Sequence, residues 1–350
     1  MKNIIAGKTV LITGGTGSIG SEIAKQILSE KAENVIIFSR DEIKQFSIRN
    51  KIADTRLHTI VGDIRDIRTI EPIFNKYDVD IIYHAAAMKH VVMCEEFPME
   101  AVKTNILGTQ NIIDLAVKYG TPKMITITTD KAVYPVNVMG ASKFISERIT
   151  LNANTTSKTN QKFACVRFGN VANSRGSVIP ILIENLINRK TLLISELDVT
   201  RFLMEIPDAV NLIIKATEFV QGGEIFILKM RAFKLGDLHD VMLNRIVPML
   251  GMKKEDIEVN ISGLVTGEKL HESLISDSEY SRLYKIDDMF VILPDHSSTD
   301  KYSEIGKVEL HSYKSVDVKL ISALELEKIV LKYLKCHQFP LLKMAKITES

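Results

Sequence analysis

The chain has 350 residues, with 45 Lys and Arg residues against 43 Asp and Glu residues and a formal net charge of +2. This length can bury one large α/β core or two unequal lobes. The balanced charge excludes a global attraction to nucleic acid or to a membrane surface, so any basic site must be local.

The first half of the chain predicts a doubly wound parallel sheet. Short apolar runs rich in β-branched residues alternate with helical patterns, as in parallel sheets covered by crossover helices. The predicted strands cover residues 9–13, 35–38, 59–61, 81–84, 124–128 and 163–168. Helices are predicted between them, for instance over residues 18–29, 99–119 and 141–151.

Residues 13–20, TGGTGSIG, connect the first predicted strand to the first predicted helix. Gly14 permits a tight turn, Gly17 lets the backbone approach a phosphate, and Gly20 lets the helix pack close to the strand. The helix N-terminus then offers backbone amides to a pyrophosphate, which predicts a dinucleotide site. The predicted contacts are Gly14, Thr16, Gly17, Ser18, Ile19 and Gly20.

The end of the second predicted strand indicates which dinucleotide binds. Enzymes that select NAD usually have a carboxylate here for the ribose 2′-hydroxyl. This chain has Ser39 and Arg40, with Lys44 one turn later. A hydroxyl and cationic side chains suit a 2′-phosphate, so we predict NADP. The segment is also typical of a helix start, with Ser39 as N-cap and Asp41 and Glu42 in the first turn, and both interpretations can hold together.

Two later segments complete the predicted cofactor site. Asp63 and Ile64 follow the third predicted strand and are expected to face the adenine. Ala85, Ala86 and Ala87 follow the fourth strand and keep the side chains small where a cofactor passes.

From about residue 170 the regular alternation of strands and helices breaks up. We predict a Rossmann-like NADP-binding domain over residues 1–170, with 203–230 returning to it, and a smaller α/β substrate-binding lobe over 171–300. A C-terminal helical tail is predicted over 301–350. A helix at 322–335 has the apolar residues Leu324, Leu326, Ile329, Val330 and Tyr333. It either docks on its own subunit or forms a subunit contact.

The sequence predicts neither export nor a membrane span. The first residues run straight into a predicted strand, without the apolar segment and cleavage site of a signal peptide. No run approaches the roughly 20 apolar residues that a spanning helix needs. The cysteines Cys94, Cys165 and Cys336 are odd in number and lack CxxC spacing, so neither a disulfide framework nor a metal site is indicated. We expect a soluble, cytoplasmic protein.

Nine segments resemble the extended short-chain dehydrogenase/reductase family, and in particular its inverting UDP-N-acetylglucosamine 4,6-dehydratase branch of capsule and flagellin-glycan synthesis. In chain order they are TGGTGSIG, FSRDE, GDIRD, HAAAMKHV, EAVKTNILGT, TTDKAVYPVNVMGASK, RFGNVANSRGSVIP, TRFLM and GEKLHE. The resemblance covers about residues 8–272 and does not include the tail after about residue 280.

The resemblance implies an internal redox cycle that returns the cofactor unchanged. Hydride leaves C4 of the hexose for NADP, the C5 proton becomes acidic, water leaves from C6, and hydride returns to C6. By position in TTDKAVYPVNVMGASK, Lys131 would be the base at C5 and Asp130 the acid at the C6 oxygen. Thr129 would bind the C4 oxygen, and Lys143 would hold the nicotinamide ribose.

Met139 is a departure from the YxxxK motif of the superfamily, because it stands where the catalytic tyrosine is expected. A thioether cannot take the proton from the C4 hydroxyl, so another group must. Asp130 or Lys131 could take both roles in turn, through Thr129. Tyr134 is a minor candidate, since an aromatic residue beside a proline is more often a packing residue. Some branches of the dehydratase family also carry Met at this position.

The substrate contacts are likewise implied by the resemblance and lie along the UDP and the sugar. They are Lys89, Lys131, Asn170, Arg175, Ser177, Val178, Arg201 and Glu268. Val265 is a second departure, because relatives commonly have an arginine two residues before the glycine of GEKLHE. One expected phosphate contact is therefore missing, and Arg231 or Arg282 could replace it.

Three alternatives to the inverting dehydratase stay open: a C5-retaining dehydratase, a nucleotide-sugar 4-epimerase and a non-catalytic NADP-binding sensor. The stretches CEEFPMEAVKTNILGT and NSRGSVIP resemble inverting members, whereas VMGASK is shared with retaining ones. An epimerase needs no acid at C6, so Asp130 and Lys131 count against it, and Met139 is what favours a sensor. The resemblance also implies a homo-oligomer, a dimer or a hexamer.

Overall fold

The computed structural model describes residues 4–156, 160–294, 302 and 305–339. The chain forms two compact units. The first unit comprises Met1–Phe168, Ile206–Lys229 and Ser273–Tyr313, and the second unit comprises Gly169–Glu205, Met230–Glu272 and Lys314–Ser350. The sequence-based division instead placed all of 171–300, apart from 203–230, in the second lobe. The functional roles of the two units stay a prediction.

The strands and helices below are numbered in chain order over the described residues. The strands are β1 Thr9–Thr13, β2 Asn34–Ser39, β3 Leu57–Val61, β4 Ile81–His84, β5 Lys123–Thr129, β6 Lys162–Phe168, β7 Asn170–Val171, β8 Thr191–Ile194, β9 Thr200–Met204, β10 Ile225–Leu228, β11 Arg231–Lys234, β12 Glu258–Ile261, β13 Leu283–Ile286, β14 Met289–Ile292 and β15 Ile305–Lys307. The α-helices are α1 Ser18–Ser29, α2 Glu42–Ile52, α3 Ile67–Lys76, α4 Val91–Glu96, α5 Pro98–Ala101, α6 Gly108–Tyr119, α7 Val138–Thr156, α8 Val178–Arg189, α9 Ile206–Phe219, α10 Leu235–Val241, α11 Val247–Met249 and α12 Ala323–Cys336. Short 3-10 helices cover Asp130–Ala132, Lys254–Asp256 and Asp277–Arg282, and π-helical turns cover Val102–Leu107 and Met242–Ile246.

The first unit is built around one sheet with the strand order β15-β13-β14-β10-β6-β5-β4-β1-β2-β3. Seven neighbouring strands of this sheet, in the order β3-β2-β1-β4-β5-β6-β10, pair in parallel. The first six have the 3-2-1-4-5-6 order of dinucleotide-binding folds. The strands β14, β13 and β15 extend the sheet in antiparallel fashion. The α/β, Rossmann-like fold class is therefore confirmed, and each of the six predicted strands agrees with the structure to within two residues.

The helical stretch predicted over residues 99–119 is confirmed, because α5, a π-helical turn over Val102–Leu107 and α6 follow one another without a break. In this turn the buried Asn105 side chain connects the loop after β4 to α7. Its Oδ1 accepts from Met88 N at 2.7 Å, and its Nδ2 donates to Ser142 Oγ at 2.9 Å. Such π-turns often accompany functional sites.

The second unit has its own apolar core around two small sheets, β11-β9-β7 and β12-β8. The helix predicted over 322–335 is confirmed as α12, which begins with a capping box formed by Ser322 and Glu325. Its buried face, which includes Leu326, Val330 and Leu334, packs into the core of this unit. Residues 340–350 of the predicted tail lie outside the described residues.

Candidate active site

The TGGTGSIG segment forms the turn between β1 and α1, as its glycines predict. Gly14 has φ +67, and a Cβ on it would lie 2.7 Å from the backbone of Ala86. A Cβ on Gly20 would lie 2.6 Å from the carbonyl oxygen of Gly14. Gly17 is the N-cap of α1, and the first turn of that helix has no acidic residue. The turn therefore has the backbone geometry that a dinucleotide pyrophosphate requires.

The end of β2 is held by polar contacts to its neighbours. Thr16 Oγ1 donates to Ser39 Oγ at 3.1 Å. The buried Gln45 amide donates to Ser39 O at 2.8 Å and to Ile60 O at 2.7 Å. The structural role of Gln45 could not be predicted from the sequence, because a single glutamine in a polar helix shows no periodicity. It joins β2, β3 and α2.

The N-cap of α2 is Asp41, so the sequence interpretation with Ser39 as N-cap is wrong. Ser39 is still the last residue of β2, whereas Asp41 Oδ1 accepts from Lys44 N at 2.9 Å. The Lys44 ammonium also pairs with the Asp41 carboxylate. This carboxylate, the acid nearest the end of β2, is therefore used as a helix cap.

Asp63 is the centre of an ionic cluster at the end of β3. Arg65 donates to Asp63 Oδ2 from Nε at 2.8 Å and from Nη2 at 2.6 Å, and its Nη1 donates to Glu100 at 2.5 Å. Burial raises the pKa of Asp63, but the Arg65 hydrogen bonds outweigh burial and lower it overall. Arg40, which is 58% exposed, lies 3.9 Å from the same carboxylate. Ile64 beside it is buried.

The alanines after β4 lie against the glycine turn. Ala85 N donates to Thr13 O at 3.1 Å, and Ala86 N donates to Thr13 Oγ1 at 3.4 Å. Ala87 follows them and is likewise half-buried. The structure thus brings Ala85 and Ala86 next to Gly14. Lys89, further along the loop, is exposed.

The predicted catalytic residues begin at the end of β5, where the chain enters the 3-10 turn Asp130–Ala132. Thr129 Oγ1 donates to Asp130 Oδ1 at 2.8 Å, and Lys131 Nζ donates to the same oxygen at 3.1 Å. The Asp130 side chain is 0% exposed and that of Lys131 is 21% exposed. A Cβ on Gly140 would overlap the Lys131 carbonyl oxygen, so this glycine lets α7 pack against the turn.

Met139 does not replace the missing tyrosine chemically. Its side chain is buried in a small apolar cluster with Cys94 and Ala101. Tyr134 has a left-handed backbone with φ +46, and its hydroxyl accepts a hydrogen bond from Asp277 N at 2.5 Å. Partial desolvation and the nearby Asp277 and Glu279 carboxylates raise the pKa of Tyr134, which opposes loss of its phenol proton. The thioether of Met139 has no group that exchanges a proton.

Lys143 lies on α7, one helical turn after Met139. It is buried and donates from Nζ to Ile127 O at 2.6 Å. Burial lowers its pKa to about 8, against the negative charge of Glu147. His84 at the end of β4 is also buried, with hydrogen bonds to Thr13 Oγ1 at 2.7 Å and Thr109 Oγ1 at 2.9 Å. Burial lowers the pKa of His84 to about 3, so this imidazole is neutral at physiological pH.

In the second unit, two of the predicted substrate residues bind each other. Arg201 Nη2 donates to Glu268 Oε1 at 2.7 Å, and Arg201 Nη1 donates to Thr200 O at 2.8 Å. Arg231, a candidate to replace the missing phosphate contact, is instead held by both oxygens of Glu325, at 2.6 and 2.9 Å.

The other predicted substrate residues of this unit lie around the start of α8. Ser177 is the N-cap of this 12-residue helix, Val178 is its first residue, and the first turn has no acidic residue. Arg175 is exposed just before the helix, and Asn170 begins β7. In the first unit, Arg282 Nη1 donates to Leu293 O at 2.9 Å. Within the described ranges, no group of three or more His, Cys, Asp or Glu side chains could hold a metal ion.

Residues 10–294 match the model of a family described as polysaccharide biosynthesis protein. A Methanocaldococcus jannaschii protein described as an uncharacterized membrane protein is 42% identical over 94% of this chain and 97% of its own length. The inverting UDP-N-acetylglucosamine 4,6-dehydratase of Campylobacter jejuni is 39% identical over 85% of this chain and 86% of its own length. The UDP-glucose 4-epimerase of Rickettsia canadensis is 36% identical over 93% and 95%. In the part of this chain that the structure describes, every helix is too short or too polar to span a bilayer.

Two solved structures have similar folds. Pen from Bacillus thuringiensis has a TM-score of 0.86 at 36% identity, over 94% of this chain and 98% of that one. DesIV, a dTDP-glucose 4,6-dehydratase from Streptomyces venezuelae with NAD and TYD bound, has a TM-score of 0.70 at 20% identity over the same shares, 94% and 98%. The resemblance read from the motifs is confirmed, and the chain belongs to the polysaccharide biosynthesis protein family within the extended short-chain dehydrogenases/reductases.

Proposed function

We propose that the chain is a nucleotide-sugar 4,6-dehydratase that converts UDP-N-acetylglucosamine to UDP-2-acetamido-2,6-dideoxy-β-L-arabino-hexos-4-ulose, with inversion at C5. One observation carries the proposal: a hydroxyl and an ammonium, from Thr129 and Lys131, converge on one oxygen of the buried Asp130 carboxylate. Elimination of water needs both an acid and a base beside the sugar, and this group supplies them. The name of the Campylobacter jejuni relative agrees with this chemistry.

The residues of the glycine turn fit a nicotinamide dinucleotide, and we propose NADP. A Cβ on Gly14 would clash with the backbone of Ala86, so only glycine fits at this point of the turn. The Asp41 carboxylate caps α2 and is therefore not available to a ribose hydroxyl. We propose that Ser39 and Arg40, at the end of β2, bind the 2′-phosphate instead. The turn between Gly14 and Gly20 would hold the dinucleotide, whose nicotinamide would supply a hydride acceptor for C4 and a hydride donor for C6. Lys143 would hold the ribose beside it.

The proton steps are assigned to the residues of the turn. Thr129 binds the C4 oxygen and passes the C4 hydroxyl proton to Asp130, along the 2.8 Å hydrogen bond between them. Lys131 would first release its ammonium proton to solvent and, as the neutral amine, would remove the C5 proton. Asp130 would give the proton that it received to the C6 oxygen, which leaves as water. The C4 hydroxyl proton and the C6 hydroxyl together account for that water. Inversion requires C5 to receive its new proton on the face opposite Lys131.

The nucleotide would be bound by residues of the second unit. The start of α8, at Ser177 and Val178, has no acidic residue in its first turn, which favours an anion such as a pyrophosphate. Asn170, Arg175 and the Arg201–Glu268 pair would contact the rest of the UDP, and Lys89 of the first unit would contact the sugar. We further propose that the enzyme works as a homo-oligomer in the cytoplasm and supplies surface polysaccharide synthesis.

The test is proton NMR of the purified protein with UDP-N-acetylglucosamine and NADP in deuterated water. A new C6 methyl signal with deuterium at C5 supports the dehydratase, and the couplings at C5 distinguish inversion from retention. A C4 epimer without a new methyl signal would instead support the epimerase, which the name of the Rickettsia relative favours. Bound NADP without turnover of any nucleotide hexose would contradict both enzymes and support the sensor.

A further inference from the structure

A buried ionic cluster lies next to Lys143 in the first unit, and the roles proposed above do not use it. Arg167 of β6 is shared by two carboxylates, Glu147 of α7 and Glu279 of the 3-10 helix Asp277–Arg282. Arg167 donates to Glu147 from Nε at 3.1 Å and from Nη2 at 2.7 Å, and to Glu279 from Nη1 and Nη2, both at 3.1 Å. The three side chains are 0–2% exposed. Breaking such a buried group leaves an uncompensated charge.

Glu147 also binds the strand that leads into the catalytic turn. Thr128 Oγ1 donates to Glu147 Oε1 at 2.5 Å, and Thr128 directly precedes Thr129. Thr128 and Arg167 are opposite each other in the register of β5 and β6. One carboxylate of α7 therefore spans both strands at the point where the chain turns toward Asp130.

The same carboxylate lies one helical turn beyond Lys143, on the same face of α7. The titratable groups that act on Lys143 come from three elements: Glu147 on α7, Cys165 on β6 and His84 on β4. Burial keeps His84 neutral and raises the pKa of the Cys165 thiol, so neither contributes a charge near neutral pH. Glu147 is thus the charged group that opposes the effect of burial on Lys143. Arg148, which is half-exposed, lies 3.7 Å from Glu279.

We propose that Glu147 is a positioning residue of the catalytic turn. It holds Thr128 in place, and its charge keeps Lys143 as an ammonium that can donate to a ribose hydroxyl. Two hydrogen bonds from Arg167 fix its orientation. The catalytic meaning of this inference rests on the proposed function, but the control of a lysine by a carboxylate is a property of the folded chain alone.

The first test is a pH titration of the cofactor-free protein by NMR, with carbon-13 at lysine Cε and the Lys143 signal assigned by its loss in Lys143→Met. The wild-type midpoint is expected near pH 8. In Glu147→Gln, which still offers an oxygen to Thr128, the midpoint is expected to fall by roughly one pH unit or more. Glu279→Gln removes the other carboxylate of Arg167 and should leave the midpoint unchanged. An unchanged midpoint in Glu147→Gln, or an equal shift in Glu279→Gln, would overturn the proposal.

A second variant covers the case in which Glu147→Gln does not fold. Glu147→Asp keeps the charge but withdraws it by one methylene, so a smaller fall in the Lys143 midpoint is expected, and no fall would overturn the proposal. The pH dependence of NADPH binding, followed by NADPH fluorescence, should move with the same midpoint. If these shifts occur while no nucleotide sugar is turned over, the proposed function fails and the inference stands.

The contact to Thr128 is tested separately by Thr128→Val and Thr128→Ser. Thr128→Val removes the hydroxyl but leaves the charge of Glu147, so turnover should fall while the Lys143 midpoint stays in place. Thr128→Ser should restore turnover, because it restores the donor. Wild-type turnover in Thr128→Val would contradict the positioning role.

Discussion

The glycine turn after β1 and the proposed catalytic turn, Thr129–Lys131 after β5, lie at the carboxyl ends of two strands of the same sheet, but they depend on different interactions. At the glycine turn, the absence of a Cβ on Gly14 and Gly20 lets backbone atoms approach within distances that a side chain would block. At the catalytic turn, a hydroxyl and an ammonium converge on the carboxylate of Asp130. We therefore expect substitutions in the first turn to cause steric overlap and to weaken dinucleotide binding. Substitutions in the second turn should remove a charge and lower turnover.

The largest expected effect is in Asp130→Asn, which keeps the shape of the catalytic turn but removes its acid. Turnover of UDP-N-acetylglucosamine should fall by about 10²–10⁴-fold, as is typical when general acid catalysis is lost. NADPH affinity, measured by fluorescence, should stay within a factor of about two, because the glycine turn does not depend on this carboxylate. A parallel loss of NADPH binding would erase the distinction between the two turns.

Gly14→Ala should have the opposite result. The added Cβ would lie 2.7 Å from the Ala86 backbone at a residue with φ +67. Strain of about 1–3 kcal/mol is expected, equivalent to roughly 5- to 150-fold in dinucleotide affinity. Gly7→Ala is the matched control, since Gly7 has φ +69 but open space around its Cβ. Equal losses of affinity in both variants would show that backbone conformation, rather than overlap with Ala86, limits the site.

The pH dependence of stability sharpens the comparison, because the neutral His84 supports the strand end next to Gly14. Its pKa is about 3 in the folded chain and about 6.5 when unfolded, so the unfolded state binds the extra proton as pH falls through 6.5. Stability should therefore be complete above pH 6.5 and decrease by about 1.4 kcal/mol per pH unit below it. Urea unfolding at pH 7.5 and 5.0 measures this loss, about 2 kcal/mol. His84→Gln should be less stable at pH 7.5 and lack this part of the pH dependence; an unchanged pH slope in the variant would contradict the assignment.

The smallest expected effects separate the two cations near the end of β2. Arg40→Ala should weaken NADP binding by roughly tenfold, the scale of one hydrogen bond to a charged group, with little change for NAD. Lys44→Ala should change NADP binding by less than about threefold, because the Lys44 ammonium already pairs with Asp41. Isothermal titration with both dinucleotides measures the ratio. A larger effect for Lys44 would mean that it leaves Asp41 when the cofactor binds.

The parallel part of the fold could be predicted because its pattern is local. Buried parallel strands are continuous apolar runs, and all five residues of β1 are buried. The antiparallel strands β13, β14 and β15 were not predicted, since they have only three or four residues each. β13 and β14 form a local hairpin, but the hairpin joins the sheet through β10, which is distant in the chain. The π-helical turn within the predicted 99–119 helix was not predicted, because it depends on contacts of Asn105 with Met88 and Ser142.

The candidate site divides in the same way. The glycine positions and the order of Thr129, Asp130 and Lys131 are visible in the sequence, and the structure adds the hydrogen bonds between them. The cluster around Arg167 could not be predicted, because its two carboxylates come from residues 20 and 112 positions away. Polar residues that act through such distant partners show no periodicity.

The burial of Met139 bears on whether the lost tyrosine can be regained. The thioether is buried in an apolar cluster with Cys94 and Ala101. A single exchange to tyrosine would bring a larger ring and a hydroxyl into that cluster, at a cost of about 1–3 kcal/mol for an unpaired hydroxyl. The neighbours of Met139 thus suit a thioether, and a tyrosine would need compensating changes around it. Under the proposed function, Met139→Tyr alone would therefore leave the proton steps on the Thr129–Lys131 turn.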